Sequence, residues 1–228
     1  MSRKFKNKEG SQRSLVADLN PMSSVAEQYR QLRTNIQFAS VDRQVKSIVV
    51  TSPGPAEGKT TTAANLAIVL AQQGTPVLLV DTDLRKPALH YTFGVSNIQG
   101  LTSVLTKQCS LNKAITKTQV ANLDLLTSGA LPPNPSELLN SLAMKTAIQE
   151  MYDLYDYIVF DTPPVLAVTD PQIMGNQCDG IVMVVASGKT AKEPTIKAKE
   201  LLEKAKAPIL GVVLNGDENK TNPSYYQQ

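Results

Sequence analysis

The stretch "SIVVTSPGPAEGKTTTAANLAIVLAQQG", residues 47–74, contains a strand pattern, a glycine-rich loop and a helix pattern in immediate succession. "SIVVTS" is typical of a buried strand, and "TTAANLAIVLAQQG" is long enough for a helix that ends near Gly74, where a left-handed residue is needed. At the junction, backbone amides and the helix dipole favour a phosphate group, while Lys59 can reach the β and γ phosphates and Thr60 can ligate Mg²⁺. We therefore predict a loop that binds a nucleoside triphosphate, with contacts from Gly54, Pro55, Ala56, Glu57, Gly58, Lys59, Thr60 and Thr61.

The rest of the chain alternates apolar runs with helical patterns. The further candidate strands are "PVLLVD", "LDLLTS", "YIVFD", "GIVMVVA" and "PILGVVLN". Most are apolar on consecutive residues, which indicates strands covered on both faces of a parallel sheet. Helices are predicted over "PSELLNSLAMKTAIQEMY", with Ser136 as N-cap, and over "TAKEPTIKAKELLEKAKA". The predicted fold class is α/β: a P-loop NTPase-like, doubly wound and mostly parallel sheet flanked by helices.

Composition and charge divide the chain into three regions. We predict a basic flexible tail over residues 1–20, one domain over 21–216 that begins with a helix at 21–40, and a flexible tail over 217–228. The basic tail is interpreted first as solvated and second as a contact for acidic lipid. A net charge of +3 is too small to indicate a nucleic acid partner, and no apolar run approaches the roughly 18 residues of a spanning helix. A cytoplasmic location is expected.

Three acidic residues follow predicted strands. Asp81 and Asp83 come at the end of "PVLLVD", and Asp161 ends "YIVFD" in the manner of a Walker B motif. Because the carboxyl ends of parallel strands share one edge, these side chains can gather near the phosphate loop; taken singly, each could instead be an N-cap or turn residue. Mg²⁺ needs only one or two protein carboxylates, which leaves one acid to accept a proton from an attacking hydroxyl. Asp81 is the candidate base.

Other polar residues admit more than one interpretation. Arg85 and Lys86 could stabilise charge on a transferring phosphoryl group, grip an acidic peptide, or form a solvated basic turn. Asn215 follows the last strand, where it could contact a nucleotide base or form an Asn-Gly turn. In "SSVAEQYRQLRTNIQFAS", which reads as an amphipathic helix, Glu27, Arg30 and Arg33 fall three apart, as in ordinary pairing along a helix.

The chain resembles the cytoplasmic domain of the bacterial tyrosine kinases, the P-loop autokinases of exopolysaccharide and capsule systems. The motifs that carry the resemblance are "EQYRQLRTN", "SPGPAEGKTTTAANLA", "VLLVDTDLRKP", "LTSGALPPNPSELL", "VFDTPP" and "LGVVLN". It implies transfer of the ATP γ-phosphoryl group to tyrosine, with Lys59 and Thr60 binding phosphate and Mg²⁺. It also implies that Asp81 activates the tyrosine hydroxyl, that Asp83 and Asp161 organise the metal, and that Arg85 belongs to the same DxDxR element.

The same resemblance implies partners. In this family an ExxRxxR element, here Glu27, Arg30 and Arg33, joins subunits into a homo-oligomeric ring in which a tail enters a neighbour's site. The phosphorylated residues would be Tyr225 and Tyr226, a sparser set than the family's tyrosine cluster, so protein substrates in trans would carry more of the output. A separate transmembrane activator protein is implied, and it would recruit the kinase to the inner face of the cell membrane.

Two positions in the loop depart from related patterns. Pro53 stands where the standard phosphate loop has its first glycine, and Gly54 stands where the ParA and MinD class of ATPases has a second lysine. The hypothesis is thus an ATP-dependent protein-tyrosine kinase. The alternatives are a MinD- or ParA-like ATPase switch without kinase activity and a catalytically idle nucleotide-binding scaffold.

Overall fold

The computed structural model describes residues 15–39 and 45–216. Within them the strands form one seven-stranded sheet in the order β3-β4-β2-β5-β1-β6-β7. The strands are β1 Ser47–Thr51, β2 Val77–Asp81, β3 Thr116–Lys117, β4 Leu123–Leu126, β5 Tyr157–Asp161, β6 Gly180–Ala186 and β7 Ile209–Asn215. Neighbouring strands run parallel except β3, which pairs antiparallel with β4. The predicted mostly parallel α/β sheet is confirmed, and β3 is an addition that the apolar patterns did not indicate.

Helices cover both faces of this sheet. They are α1 Val16–Leu19, α2 Ser24–Phe38, α3 Lys59–Ala71, α4 Leu89–Phe93, α5 Leu101–Leu105, α6 Leu111–Ala114, α7 Pro135–Leu139, α8 Leu142–Leu154, α9 Asp170–Gln177 and α10 Lys192–Lys204. One core, which contains Phe160, lies between the sheet and α8 to α10; the other, which contains Ile68, lies on the opposite face beneath α3. Every residue of β1, β2 and β6 is buried. Each fully buried Leu, Ile or Phe side chain contributes about 1.5–3 kcal/mol.

Strand order and register place the acidic strand ends side by side. β5 lies between β1 and β2, so the strand before the phosphate loop and both acid-bearing strands are immediate neighbours. Asp81 and Asp161 are register partners across β2 and β5. Because parallel strands present their carboxyl ends at a single edge, the loop after β1 meets these carboxylates there.

One predicted helix is divided in two. The expectation of a continuous helix after Ser136 was wrong, because the chain leaves helical geometry at Asn140 and restarts after Ser141. The Ser141 side chain accepts a hydrogen bond from the Met144 amide and caps α8. Ser136 lies inside α7 and uses its hydroxyl in a tertiary contact described below.

Part of the segment that the sequence assigned to a flexible tail, residues 1–20, is helical. Residues 16–19 form α1, in which Ala17 is fully buried. The Ala17 amide donates to Asn65 Oδ1 (2.9 Å), and its carbonyl accepts from Gln72 Nε2 (3.0 Å), so this turn is attached to α3. Residues 1–14 and 217–228, the latter with Tyr225 and Tyr226, lie outside the described residues. In the part of the chain that is described, no helix has the length and apolar character needed to cross a membrane.

Candidate active site

The phosphate loop, residues 52–58, joins β1 to α3. Gly58 adopts a left-handed conformation (φ 92°), and a Cβ atom there would come within 2.1 Å of Asn215 Nδ2, so only glycine fits. Ala56 is also left-handed (φ 61°). Helix α3 begins directly at Lys59, and no side chain of the described residues caps it. Its first amides are therefore available to an anion.

Lys59 lies between two carboxylates at the sheet edge. Its Nζ is 3.1 Å from Asp83 Oδ2 and 3.3 Å from Asp161 Oδ1. Thr60 Oγ1 donates to Asp161 Oδ2 (2.7 Å). The structure thus brings together the ammonium, the hydroxyl and the acids that the sequence patterns singled out.

The carboxylates perturb one another because they share a buried edge. Burial, together with the neighbouring Asp161, raises the pKa of Asp81 to about 7. Burial also raises the pKa of Asp161, although Lys59 and Thr60 act in the opposite direction. Burial would lower the pKa of Lys59, but the charges of Asp161 and Asp83 raise it, so the ammonium stays charged.

Asp81 organises the loop after β2. Its Oδ1 accepts from the Asp83 amide (3.2 Å), and its Oδ2 accepts from the amides of Ala88 (3.1 Å) and Leu89 (3.0 Å). The side chain is fully buried. In this arrangement both Asp81 oxygens face backbone amides, those of residues 83, 88 and 89.

Arg85 is turned toward a contact that the sequence did not reveal. Its Nε donates to Asp170 Oδ2 (2.9 Å), and its Nη2 donates to Asp170 Oδ1 (3.2 Å) and to Ser136 Oγ (2.9 Å). Asp170 is fully buried at the start of α9. Arg85 therefore connects the loop after β2 with α7 and α9, instead of standing beside Lys59. Asp170 precedes a proline, and this local pattern indicated only a turn or helix start.

We expect Arg85→Ala to destabilise the fold by about 1–3 kcal/mol, because Asp170 loses its bidentate partner while buried. The expected loss of stability is no larger because the Arg85 side chain is 38% exposed, so solvent screens part of its attraction to Asp170. Urea unfolding measures it, with the exposed neighbour Lys86→Ala as control. Equal unfolding midpoints for wild type and Arg85→Ala would show that the pair contributes nothing.

Asn215 contacts the phosphate loop. Its Nδ2 donates to the Glu57 carbonyl oxygen (2.9 Å). The same amide group lies close to the place that a Cβ atom would take if residue 58 were not glycine. The interpretations considered from sequence were a base contact and an Asn-Gly turn. The structure adds a different role, in which the end of β7 supports the loop backbone.

The Glu27, Arg30 and Arg33 side chains make contacts inside the chain. Arg30 Nε donates to Glu27 Oε2 (2.6 Å), and Arg30 Nη1 donates to the Pro21 carbonyl (3.0 Å). Arg33 Nη1 donates to the Val69 carbonyl of α3 (2.6 Å), while its buried Nε has no hydrogen-bond partner among the residues that the structure describes. The pairing along the helix that the spacing allowed is therefore present, and Arg33 additionally links α2 to α3.

The donor set suits Mg²⁺. Hydroxyl and carboxylate oxygens are the ligands that this ion prefers, and Thr60, Asp83 and Asp161 offer them at one edge. In residues 15–39 and 45–216, no cluster of three His, Cys, Asp or Glu side chains could hold a metal ion unaided.

A parallel sheet whose first strand runs into a glycine-lysine-threonine loop, beside acids at neighbouring strand ends, defines the P-loop NTPase fold class. Comparison with known proteins agrees. A family model for the AAA domain matches residues 45–206.

Two curated relatives are similar over most of the chain. The tyrosine-protein kinase YwqD of Bacillus subtilis is 53% identical over 94% of this chain and 90% of its own length. The putative tyrosine-protein kinase CapB of Staphylococcus aureus is 40% identical over 90% of each chain. The chain belongs to the family of bacterial tyrosine-protein kinases.

Solved structures place the fold in the same family. The kinase domain of the Escherichia coli tyrosine kinase ETK superposes with a TM-score of 0.87 at 35% identity, covering 92% of this chain and 83% of that one. The septum site-determining protein MinD of Pyrococcus horikoshii, complexed with Mg-ADP, gives 0.63 at 29% identity, covering 74% and 69%. The kinase domain thus matches more of the chain, and more closely, than the ATPase does.

Proposed function

We propose that this protein transfers the γ-phosphoryl group of Mg-ATP to tyrosine, both on Tyr225 and Tyr226 of its own tail and on protein substrates. The observation that carries the proposal is the contact of Lys59 with Asp83 and Asp161 at the start of α3, with Asp81 in register beside Asp161. Close relatives named tyrosine-protein kinases support the choice of acceptor. Names such as CapB also support a role in capsule or exopolysaccharide synthesis.

Each side chain has a role that its surroundings support. The amides of the loop and of α3 would hold the phosphates, and Lys59 would exchange one carboxylate contact for a phosphate oxygen. Thr60, Asp83 and Asp161 would hold Mg²⁺, which neutralises charge on the phosphates when bound. Asp81 would accept the tyrosine proton, because a carboxylate with a pKa of about 7 is half ionised at neutral pH and takes up a proton readily. This role requires residues 82–88 to admit the phenol.

The alternative is a MinD-like ATPase switch. The likeness to MinD supports it at the level of fold, while Gly54 in place of a second lysine and the tail tyrosines oppose it. Incubation with Mg-ATP separates the two, because the kinase yields phosphotyrosine on the tail or on an added tyrosine-containing polypeptide. ATP-driven dimerisation with phosphate release and no phosphotyrosine would favour the switch.

The ring and the membrane partner belong to the same proposal. A homo-oligomeric ring formed through α2 would let one subunit's tail reach a neighbour's site. A separate transmembrane activator would bring the kinase to the inner face of the cell membrane. The side chains of Glu27 and Arg30 are each about one-third exposed. Part of each therefore remains accessible to a neighbouring subunit even while the two contact each other.

Replacing Glu27, Arg30 and Arg33 together with Ala is expected to shift the oligomer to monomer. The Glu27 and Arg30 replacements remove charge from the partly exposed face of α2. The Arg33 replacement removes the hydrogen bond from α2 to the Val69 carbonyl of α3. Size-exclusion chromatography with light scattering measures the mass of the particle.

A matched triple variant on α10 controls for loss of charge. Glu193→Ala, Lys197→Ala and Lys204→Ala alter exposed positions of the same charge types and are expected to leave the mass unchanged. A circular dichroism melt of both triples separates dissociation from unfolding. If the α2 variant is folded and its particle has the same mass as wild type, these three residues act only within the chain.

A further inference from the structure

Glu57 is an acidic residue inside the phosphate loop, and the residue is buried (6% exposed). Its Oε1 accepts from the Gly54 amide (2.7 Å), and its Oε2 accepts from the Ala186 amide (3.3 Å). Its carbonyl oxygen accepts from Asn215 Nδ2. One residue therefore ties the loop to the last residues of both β6 and β7.

The position of this carboxylate is unexpected on electrostatic grounds. A loop that binds a polyphosphate gains from positive charge, and a fixed negative charge opposes the ligand. The bridge offsets this cost if it holds the loop in a shape that suits phosphate, because preorganised donors bind without first having to be ordered. The left-handed conformation at Ala56, a residue with a Cβ atom, also requires support from the surrounding structure.

Gly54 and Glu57 form a matched pair. A Cβ atom at position 54 would lie 3.0 Å from Glu57 Oε1, closer than ordinary contact. A side chain at position 54 would therefore press on the carboxylate bridge. This gives a physical reason why the chain has glycine at the position where the MinD class of ATPases has a lysine.

We infer that Glu57 is a positioning residue of the kinase site, which acts through the loop backbone by bridging the Gly54 and Ala186 amides. The inference rests on the proposed nucleotide binding. Its role is to hold the loop against the ends of β6 and β7 before the nucleotide arrives. It contacts no reacting atom.

A series of substitutions separates bridging from charge. Glu57→Ala removes the bridge and should raise the Kd for a fluorescent ADP analogue and the KM for ATP by about 30-fold, the size expected for a lost hydrogen bond to a charged group. Glu57→Asp keeps the charge but is one methylene too short to span both amides, so it should resemble Ala. Glu57→Gln removes the charge and keeps only one acceptor, so it should fall between wild type and Glu57→Ala. Its amide oxygen can serve Gly54, but its Nε2 is a donor and cannot accept from the Ala186 amide, to which Thr190 Oγ1, at 3.3 Å, offers another acceptor.

Hydrogen exchange measured by mass spectrometry gives a readout that does not depend on activity. Without nucleotide, peptides that cover Gly54 and Ala186 should exchange faster in Glu57→Ala than in wild type, and in Glu57→Gln the peptide that covers Gly54 should stay closer to wild type. The exposed Glu200→Ala on α10 is the matched control and should change neither exchange nor ADP binding. Gly54→Ala should weaken ADP binding, and its effect should not add fully to that of Glu57→Ala because both disturb the same contact between Gly54 and Glu57.

The outcomes distinguish this inference from the proposed function. If wild type does not bind the ADP analogue, the proposed nucleotide site fails. If wild type binds and Glu57→Ala binds within twofold of it, the positioning role is wrong. It is also wrong if Glu57→Asp behaves as wild type while Glu57→Gln behaves as Ala, since charge would then matter and bridging would not. Should Glu57→Ala fail to fold, the Asp and Gln variants decide on the same criteria.

Discussion

Lys59→Met is expected to reduce phosphotyrosine formation at least about 100-fold, in line with the loss of a charged donor at a transferring phosphoryl group. Lys59 is the cation that contacts both Asp83 and Asp161. Methionine keeps the length of the side chain but loses the ammonium, so the phosphates lose a donor and Asp83 and Asp161 lose the positive charge between them. Radiolabel transfer from γ-labelled ATP to a tyrosine-containing polypeptide measures the effect.

The control for this prediction is Lys197→Met, an exposed position on α10, which should retain wild-type transfer. Thermal unfolding of Lys59→Met checks that the change is local. Transfer by a folded Lys59→Met variant within a few-fold of wild type would remove Lys59 from the proposed chemistry.

Asp81→Asn is expected to lower kcat by roughly 10²–10⁴-fold, the range typical of losing a general base. The amide cannot take the tyrosine proton at any pH. In wild type, kcat/KM should rise with pH through about 7 and level off above it. The sign follows from the raised pKa of Asp81, because only the ionised carboxylate, which forms above that pKa, can accept the proton.

Asp81→Asn should lose this rise as well as the rate. Asp153→Asn, an exposed position on α8, is the matched control and should keep both. The pH profile matters because Asp81 also accepts three backbone amides, and loss of that support alone would lower the rate without flattening the profile. A slow variant that retains the wild-type rise would assign the titration to another group and make Asp81 a structural residue.

The strands that position the site could be predicted because the pattern that produces each strand lies within its own sequence. Consecutive apolar residues in β1, β2 and β5 mark strands buried on both faces, and parallel strands share an edge, so the meeting of Lys59 with the strand-end acids follows from sequence order. β3 is only two residues long, pairs at the sheet margin and is partly exposed. It carries no apolar pattern that a sequence could reveal.

The missed contacts are non-local. Arg85 meets Asp170 across 85 residues, and Glu57 meets Ala186 across 129. Neither pair has a fixed spacing that would predict it, whereas the pairing of Glu27 with Arg30 does. The division of the predicted helix at Asn140 shows the same limit on a smaller scale, because an apolar pattern continued across a break that a capping serine made possible.

The measurement that tests the central claim most directly is mass spectrometry of the purified protein after incubation with Mg-ATP, with and without an added tyrosine-containing polypeptide. Phosphate on Tyr225 or Tyr226, or on tyrosine of the polypeptide, is the predicted result, and it should disappear in Lys59→Met and Asp81→Asn. Release of inorganic phosphate with every tyrosine unmodified, in a protein that binds Mg-ATP, would contradict it.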